Sequence, residues 1–181
     1  MGLLKDDFST LDMVAGVMPW LPPDAAEVSR CDAAAFEAGG LPKERVLHEV
    51  FLLKAALGLE YGLGLLERLG LRREGLEQYH DLYLRRLAEG MVAGFAGQAE
   101  LAVGLMGARF KAYAAALHDG LHPEDPHLAV ADAFTRFCGA ADARPLVTLC
   151  LDTCKAMHTR FLDSLTEYRG TPAAPPAREP A

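Results

Sequence analysis

Residues 73–118 read REGLEQYHDLYLRRLAEGMVAGFAGQAELAVGLMGARFKAYAAALH, and this stretch decides the fold. It contains no proline, and its residue spacings are those of a helix. The first half carries a charged face. The second half almost loses its charges, since Gln98 and Glu100 are the only strongly polar side chains between residues 90 and 108. Small residues recur through that second half, which favours close contact with another helix.

The length of this stretch indicates a break. A continuous helix over residues 73–118 would be roughly 69 Å long at 1.5 Å per residue. A compact domain of this size has a diameter of about 40 Å. Glycine inside a helix costs about 1 kcal/mol relative to alanine and marks where a helix can yield. We therefore predict two helical pieces, hinged among Gly90, Gly94 and Gly97.

The preceding residues predict the other half of a helical hairpin. Pro42 stands where first-turn prolines stand, so a helix should run from there to about Leu69. Between residues 50 and 66 only Lys54 and Glu60 are charged. Because a helix without a polar face is buried on several sides, we expect other helices to cover this one.

A turn of a few residues joins this helix to the long stretch. So short a connection makes the two helices antiparallel neighbours. With the turn centred between Leu71 and Arg72, Lys54 lies opposite Glu89. The sequence therefore predicts that these two side chains approach each other across the hairpin.

Shorter helices complete the expected fold. One of them should begin at Asp24, because Glu27 follows at the spacing of a capping box. No strand alternation or internal repeat occurs. The sequence predicts an all-α fold, a bundle of five or six helices around the central antiparallel helical hairpin. Residues 1–169 are expected to form a single all-helical domain, and the Pro/Ala-rich residues 170–181 a disordered tail.

Composition limits the partners and the location. A formal net charge of −7 disfavours nucleic acid and anionic lipid, because both need a basic face. The N-terminus lacks the pattern of a signal peptide. Charged residues interrupt the apolar stretches, so no membrane span is expected. We predict a cytoplasmic protein, whose four cysteines are reduced thiols packed as small hydrophobes.

Polar side chains gather near the closed end of the hairpin. They are Glu60, Tyr61, Tyr79, His80 and Tyr83. A carboxylate, an imidazole and phenol hydroxyls beside an apolar surface can orient a small ligand, apolar or tetrapyrrole-like. The same groups can instead satisfy one another at the edge of the core. Glu60, Tyr79, His80 and Tyr83 are our predicted ligand-binding residues.

Metal binding is an alternative use of the polar residues. Cys150, Cys154 and His158 follow one another at four-residue steps on one predicted helix, so they point roughly the same way. The cysteines equally continue the apolar stripe of that helix. Glu77 and His80 have the spacing of half a di-iron site, although no second copy accompanies them on a helix. We predict no metal ligands and leave the cofactor open.

No catalytic motif stands out in the chain. It has no nucleophile elbow, phosphate-binding glycine loop or dinucleotide fingerprint. The excess of apolar helical surface instead favours a non-enzymatic helical protein that acts through protein association, as a homodimer or with another partner. The alternatives are a sensor or carrier for the small ligand described above, and a metal-binding helical protein.

Overall fold

The structure, a computed structural model, describes residues 10–94, 99–118 and 125–170, with side chains for 13–90, 104–118 and 125–164. This part of the chain forms seven α-helices and one 3-10 turn at Met18–Trp20, and it contains no strand. The helices are α1 (Thr10–Val17), α2 (Ala25–Glu37), α3 (Lys43–Arg68), α4 (Arg73–Gly94), α5 (Ala99–His118), α6 (Pro126–Cys138) and α7 (Arg144–Gly170).

The predicted all-α fold is confirmed, with one helix more than expected. Residues 10–17, before Pro19, form a short helix, and the two parts of residues 73–118 each form a helix of their own. One hydrophobic core receives side chains from all seven helices. The predicted disordered tail lies outside the described residues, apart from Gly170 at the end of α7. No helix in the described ranges is long and apolar enough to cross a membrane.

Helix α3 lies at the centre of the bundle. It contacts α2, α4, α5, α6 and α7, and more than half of its 26 residues are buried. This burial follows from the apolar run between residues 50 and 66, which leaves no continuous polar face for solvent. The expected covering of α3 on several sides is therefore confirmed. That the hairpin of α3 with the following helix α4 forms the centre of the bundle stays a prediction.

Helices α4 and α5 run in opposite directions along α3. Tyr83 and Tyr79 of α4 contact Ala55 and Gly58 of α3 in reverse order, so α4 is antiparallel to α3. In contrast, α5 places Arg109 beside Glu49 and His118 beside Glu60. Helix α5 is therefore parallel to α3 and antiparallel to α4.

The predicted break in the long stretch is confirmed by these helices. Helix α4 ends at Gly94 and α5 begins at Ala99, while residues 95–98 lie outside the described part of the chain. Two helices folded against α3 keep the stretch within the size of a compact domain, as the length argument required.

The predicted approach of Lys54 to Glu89 is wrong. Lys54 Nζ lies 2.8 Å from Glu27 Oε2 on α2, and its side chain is 2% exposed. Glu89 instead lies 3.2 Å from Arg86 on the outer surface of α4. Loop length fixes the register of a hairpin but leaves the rotation of each helix about its own axis open. That rotation turns Lys54 towards α2.

The start of α2 explains how this buried lysine finds its partner. Asp24 accepts a hydrogen bond from Glu27 N (2.8 Å), and Asp24 N donates to Glu27 Oε2 (3.1 Å), so the predicted capping box is present. The backbone hydrogen bond from Glu27 is the main cause that lowers the pKa of Asp24. The same Glu27 carboxylate then accepts from Lys54.

Candidate functional site

Tyr79 and Tyr83 lie in the hydrophobic core. Both side chains are fully buried. Their hydroxyl groups donate to the carbonyl oxygens of Gly58 (3.0 Å) and Ala55 (2.7 Å) on α3. Any side chain at Gly58 or Gly62 would collide with these phenol groups, so the glycines make room for the tyrosines. The four predicted ligand-binding residues are therefore not brought together.

The other two predicted residues, Glu60 and His80, line an open groove between α3 and α4. The groove ends beside the last residue of α5 and has a volume of about 680 Å³. Its apolar lining consists of Leu63, Gly64 and Leu76. We call it the acidic groove, because its remaining lining residues are Glu67, Glu77, Asp81 and His118.

Negative charge dominates the acidic groove. Four carboxylates line it, and its described lining residues include no lysine or arginine. Each imidazole is paired with one of these carboxylates, His118 with Glu60 and His80 with Asp81, both at 3.2 Å. Glu77 also forms an ion pair with Arg73 beside the groove (2.9 Å). The lining residues themselves still carry more negative than positive charge, which favours cations over anions.

Tyr61 lies apart from the acidic groove and contacts α6 and α7. Its hydroxyl oxygen lies 2.7 Å from Nε2 of His127, the second residue of α6. On the other side of that ring, Nδ1 lies 3.3 Å from Oδ1 of Asp125, which also caps α6 by accepting from His127 N (3.0 Å). A hydroxyl, an imidazole and a carboxylate thus stand in one line.

Burial determines the protonation states of Tyr61 and His127. It lowers the pKa of His127, against the opposing effect of Asp125, and it raises the pKa of Tyr61. A neutral imidazole and a protonated phenol result near neutral pH. We therefore assign the short bond as Tyr61 donating to Nε2, which leaves the proton of His127 on Nδ1, facing Asp125.

A small cavity adjoins Tyr61. It has a volume of about 160 Å³, and Tyr61, Arg68, His158 and Phe161 are among its lining residues. The ring centroid of His158 lies 5.5 Å from that of Tyr61, and the ring of Phe161 packs edge-on against it at 5.9 Å. Aromatic contacts thus hold the phenol ring in place.

The sequence gives little warning of this second cluster. Tyr61 was expected near the closed end of the hairpin, but His127 and Asp125 are 66 and 64 residues further along the chain. The only local signal is Asp125 in the capping position before Pro126. It fixes where α6 begins and therefore where Asp125 and His127 lie along the chain.

Cys150, Cys154 and His158 are not brought together as a group of metal ligands in the described structure. Both cysteines are buried, whereas His158 is exposed. A hydrogen bond with Cys154 and burial raise the pKa of the Cys150 thiol, which stabilises the neutral form. Within the described ranges, no group of three His, Cys, Asp or Glu residues could hold a metal ion. All four cysteines are free and buried, as expected of small core residues.

The chain forms an all-α bundle with two candidate sites, the acidic groove and the cluster at Tyr61. No protein-family model matches it, and neither does any curated protein or solved structure. The two sites are therefore interpreted from their own geometry and chemistry.

Proposed function

We propose that the protein acts by association with a partner protein, and that the acidic groove receives a basic amphipathic helix of that partner. The groove carries this proposal because it combines apolar lining residues with four carboxylates and no lining lysine or arginine. An amphipathic helix lays its apolar side chains into such a groove. Lysine or arginine on its flanks would meet the carboxylates.

Charge favours a basic protein partner over the small ligands that the sequence suggests. A tetrapyrrole carries carboxylates of its own, which the groove would repel. Tyr79 and Tyr83 were expected to orient such a ligand, but their hydroxyl groups donate hydrogen bonds to backbone carbonyl oxygens inside the core. The open shape of the groove also suits an extended surface of a partner better than an enclosed small molecule.

The proposal is tested with a synthetic helical peptide that carries leucine on one face and lysine on the other. Fluorescence anisotropy of the labelled peptide measures its affinity for the full chain. The double variant Glu77→Gln/Asp81→Asn should weaken binding by about 3- to 20-fold, since each exposed ion pair contributes up to about 1 kcal/mol. Binding should also weaken with added salt.

A matched variant separates the groove from net charge. Glu37→Gln/Asp152→Asn removes two exposed carboxylates at the α2–α7 surface instead, and should leave the affinity unchanged. Equal losses in both double variants would assign the binding to overall charge and end the proposal. So would the absence of measurable binding to the wild-type chain.

Self-association through α5 is a second candidate. Gly104 and Gly107 are exposed, and among the described residues a Cβ atom at either position would meet nothing within 4 Å. Packing against the described part of the chain therefore requires neither glycine, although each weakens the helix. A second copy of the chain could approach closely there. Analytical ultracentrifugation tests this candidate. A wild-type dimer that becomes a monomer in the Gly107→Leu variant would support it, and a monomeric wild-type protein would rule it out.

A further inference from the structure

The line of Tyr61, His127 and Asp125 has the arrangement of a nucleophile, a general base and a carboxylate that orients the base. We propose that Tyr61 is a nucleophile that takes an acyl group from a small ester, with His127 as its general base. This goes beyond the proposed binding function and concerns a separate set of residues. The inference depends on the 2.7 Å contact between the hydroxyl and the imidazole.

The contact geometry assigns a role to each atom. Nε2 of His127 is positioned to accept the phenol proton, within the range required of a general base. Asp125 Oδ1, at 3.3 Å from Nδ1, holds the ring in the tautomer that leaves Nε2 free to accept. Asp125 is also fixed in place itself, because it caps α6.

The acyl transfer balances without any other reactant. The Tyr61 hydroxyl gives its proton to Nε2 while its oxygen forms a bond to the ester carbonyl carbon. The bond from that carbon to the leaving oxygen breaks, and the leaving oxygen takes the proton from Nε2. The products are acyl-Tyr61 and an alcohol, and His127 returns to its neutral form. Water attacking the acyl group by the same path releases a carboxylic acid.

The adjoining cavity sets the class of ester. Its volume of about 160 Å³ suits a small acyl group, and the rings of Phe161 and His158 line it. A cationic residue, Arg68, and an anionic residue, Glu60, also line this cavity. An uncharged acyl group of a few carbon atoms is therefore the expected ligand.

Other tyrosines in the described part of the chain have different acceptors. Tyr79 and Tyr83 donate to backbone carbonyl oxygens, which do not take up a proton. Tyr113 donates to the Glu49 carboxylate but is fully buried. Tyr61 has an imidazole acceptor and also lines a cavity, although His127 is not among the lining residues of that cavity.

The experiment uses 4-nitrophenyl acetate and the full-length protein. Release of nitrophenol is followed with time, and peptide mass spectrometry locates the acetyl group. We expect acetylation of Tyr61 and no acetylation of Tyr79 or Tyr83. His127→Asn retains a hydrogen-bond acceptor but no base, and should slow acetylation of Tyr61 by about 10²-fold or more.

Two further variants keep the test decisive. Asp125→Asn still caps α6 but no longer orients the imidazole, and should also slow the reaction, even where His127→Asn fails to fold. Asp152→Asn is the matched control, because it replaces an exposed aspartate at the α2–α7 surface instead, and its rate should equal that of the wild type. An unmodified Tyr61, or unchanged rates in both His127→Asn and Asp125→Asn, would overturn the inference.

Discussion

The hydroxyl group of Tyr79 donates a hydrogen bond of 3.0 Å to the backbone carbonyl oxygen of Gly58 on the neighbouring helix. The phenol ring reaches that oxygen by crossing the surface of α3 directly over Gly62. Helices α3 and α4 therefore pack closely because glycines at four-residue spacing face tyrosines at four-residue spacing. Glycine on α3, rather than on α5, is what allows close packing inside this chain.

Gly62→Ala should destabilise the fold by about 1–3 kcal/mol, the usual cost of overpacking a core. Its Cβ atom would collide with the ring of Tyr79, which is fully buried and has no room to move away. Gly64→Ala in the same helix is the control, because no described residue lies within 4 Å of its Cβ position. It should stabilise the chain by up to about 1 kcal/mol. Urea unfolding measures both, and a stabilising Gly62→Ala would contradict the packing described.

Removing a single hydroxyl group should cost more at Tyr113 than at Tyr83. Tyr113 donates at 2.7 Å to the buried Glu49 carboxylate, which also accepts from Arg109. A hydrogen bond to a charged group is worth about 1.5–3 kcal/mol, against about 0.5–1.5 kcal/mol for a neutral one. Tyr83 donates to the neutral carbonyl oxygen of Ala55. Thermal or urea unfolding of Tyr113→Phe and Tyr83→Phe gives the comparison, and an equal or reversed order would show that the Glu49 network adds nothing.

The buried pair of Lys54 and Glu27 should show strong coupling. Their side chains are 2% and 9% exposed. Lys54→Met leaves the Glu27 carboxylate buried and unpaired, which should cost about 3–5 kcal/mol. Adding Glu27→Gln removes that buried charge and can still complete the capping box, so the double variant should be more stable than Lys54→Met alone. A double-mutant cycle at neutral pH measures the coupling, and additive losses would contradict it.

Acid should remove the contribution of His127 to stability. Burial lowers the pKa of His127 below the ordinary value of 6.5 in the folded chain. The positive charges of His158 and Lys155 lower this pKa further, whereas the carboxylate of Asp125 raises it. Below pH 6.5 the unfolded chain therefore binds the proton more readily than the folded one. The stability present above that pH is lost as the pH falls towards the folded pKa.

His127→Gln supplies the reference for this measurement. The difference in free energy of unfolding between wild type and His127→Gln should shrink from about pH 7.5 to about pH 5.5, because the other groups titrate in both proteins. A difference that grows on acidification would mean that the folded environment favours the charged imidazole instead.

Much of the architecture follows from local sequence patterns. The uncharged run of α3 predicted a helix covered on several sides, and the spacing of Asp24 and Glu27 predicted a capping box. Simple length arithmetic predicted that the stretch ending at His118 forms two helices. Each of these depends on residues close together in the chain, where helical geometry fixes their relation.

The candidate sites depend on how helices rotate about their axes, which local patterns leave open. Tyr79 and His80 are adjacent in the chain, yet one points into the core and the other into the acidic groove. The partner of Lys54 is on α2 because α3 turns that face towards it. Tyr61 meets His127 only through the packing of α6 on α3, which no spacing in the sequence encodes.

The central position of α3 has a consequence for synthesis of the chain. Arg45 at the start of α3 donates to the carbonyl oxygen of Phe137, 92 residues later, and Tyr61 near its end packs against Phe161. The ribosome therefore delivers the central helix well before α6 and α7, two of the helices that cover it. Until α6 and α7 are synthesised, the apolar side chains of α3 that they cover remain exposed on the nascent chain. Such exposed apolar surface binds chaperones and promotes aggregation.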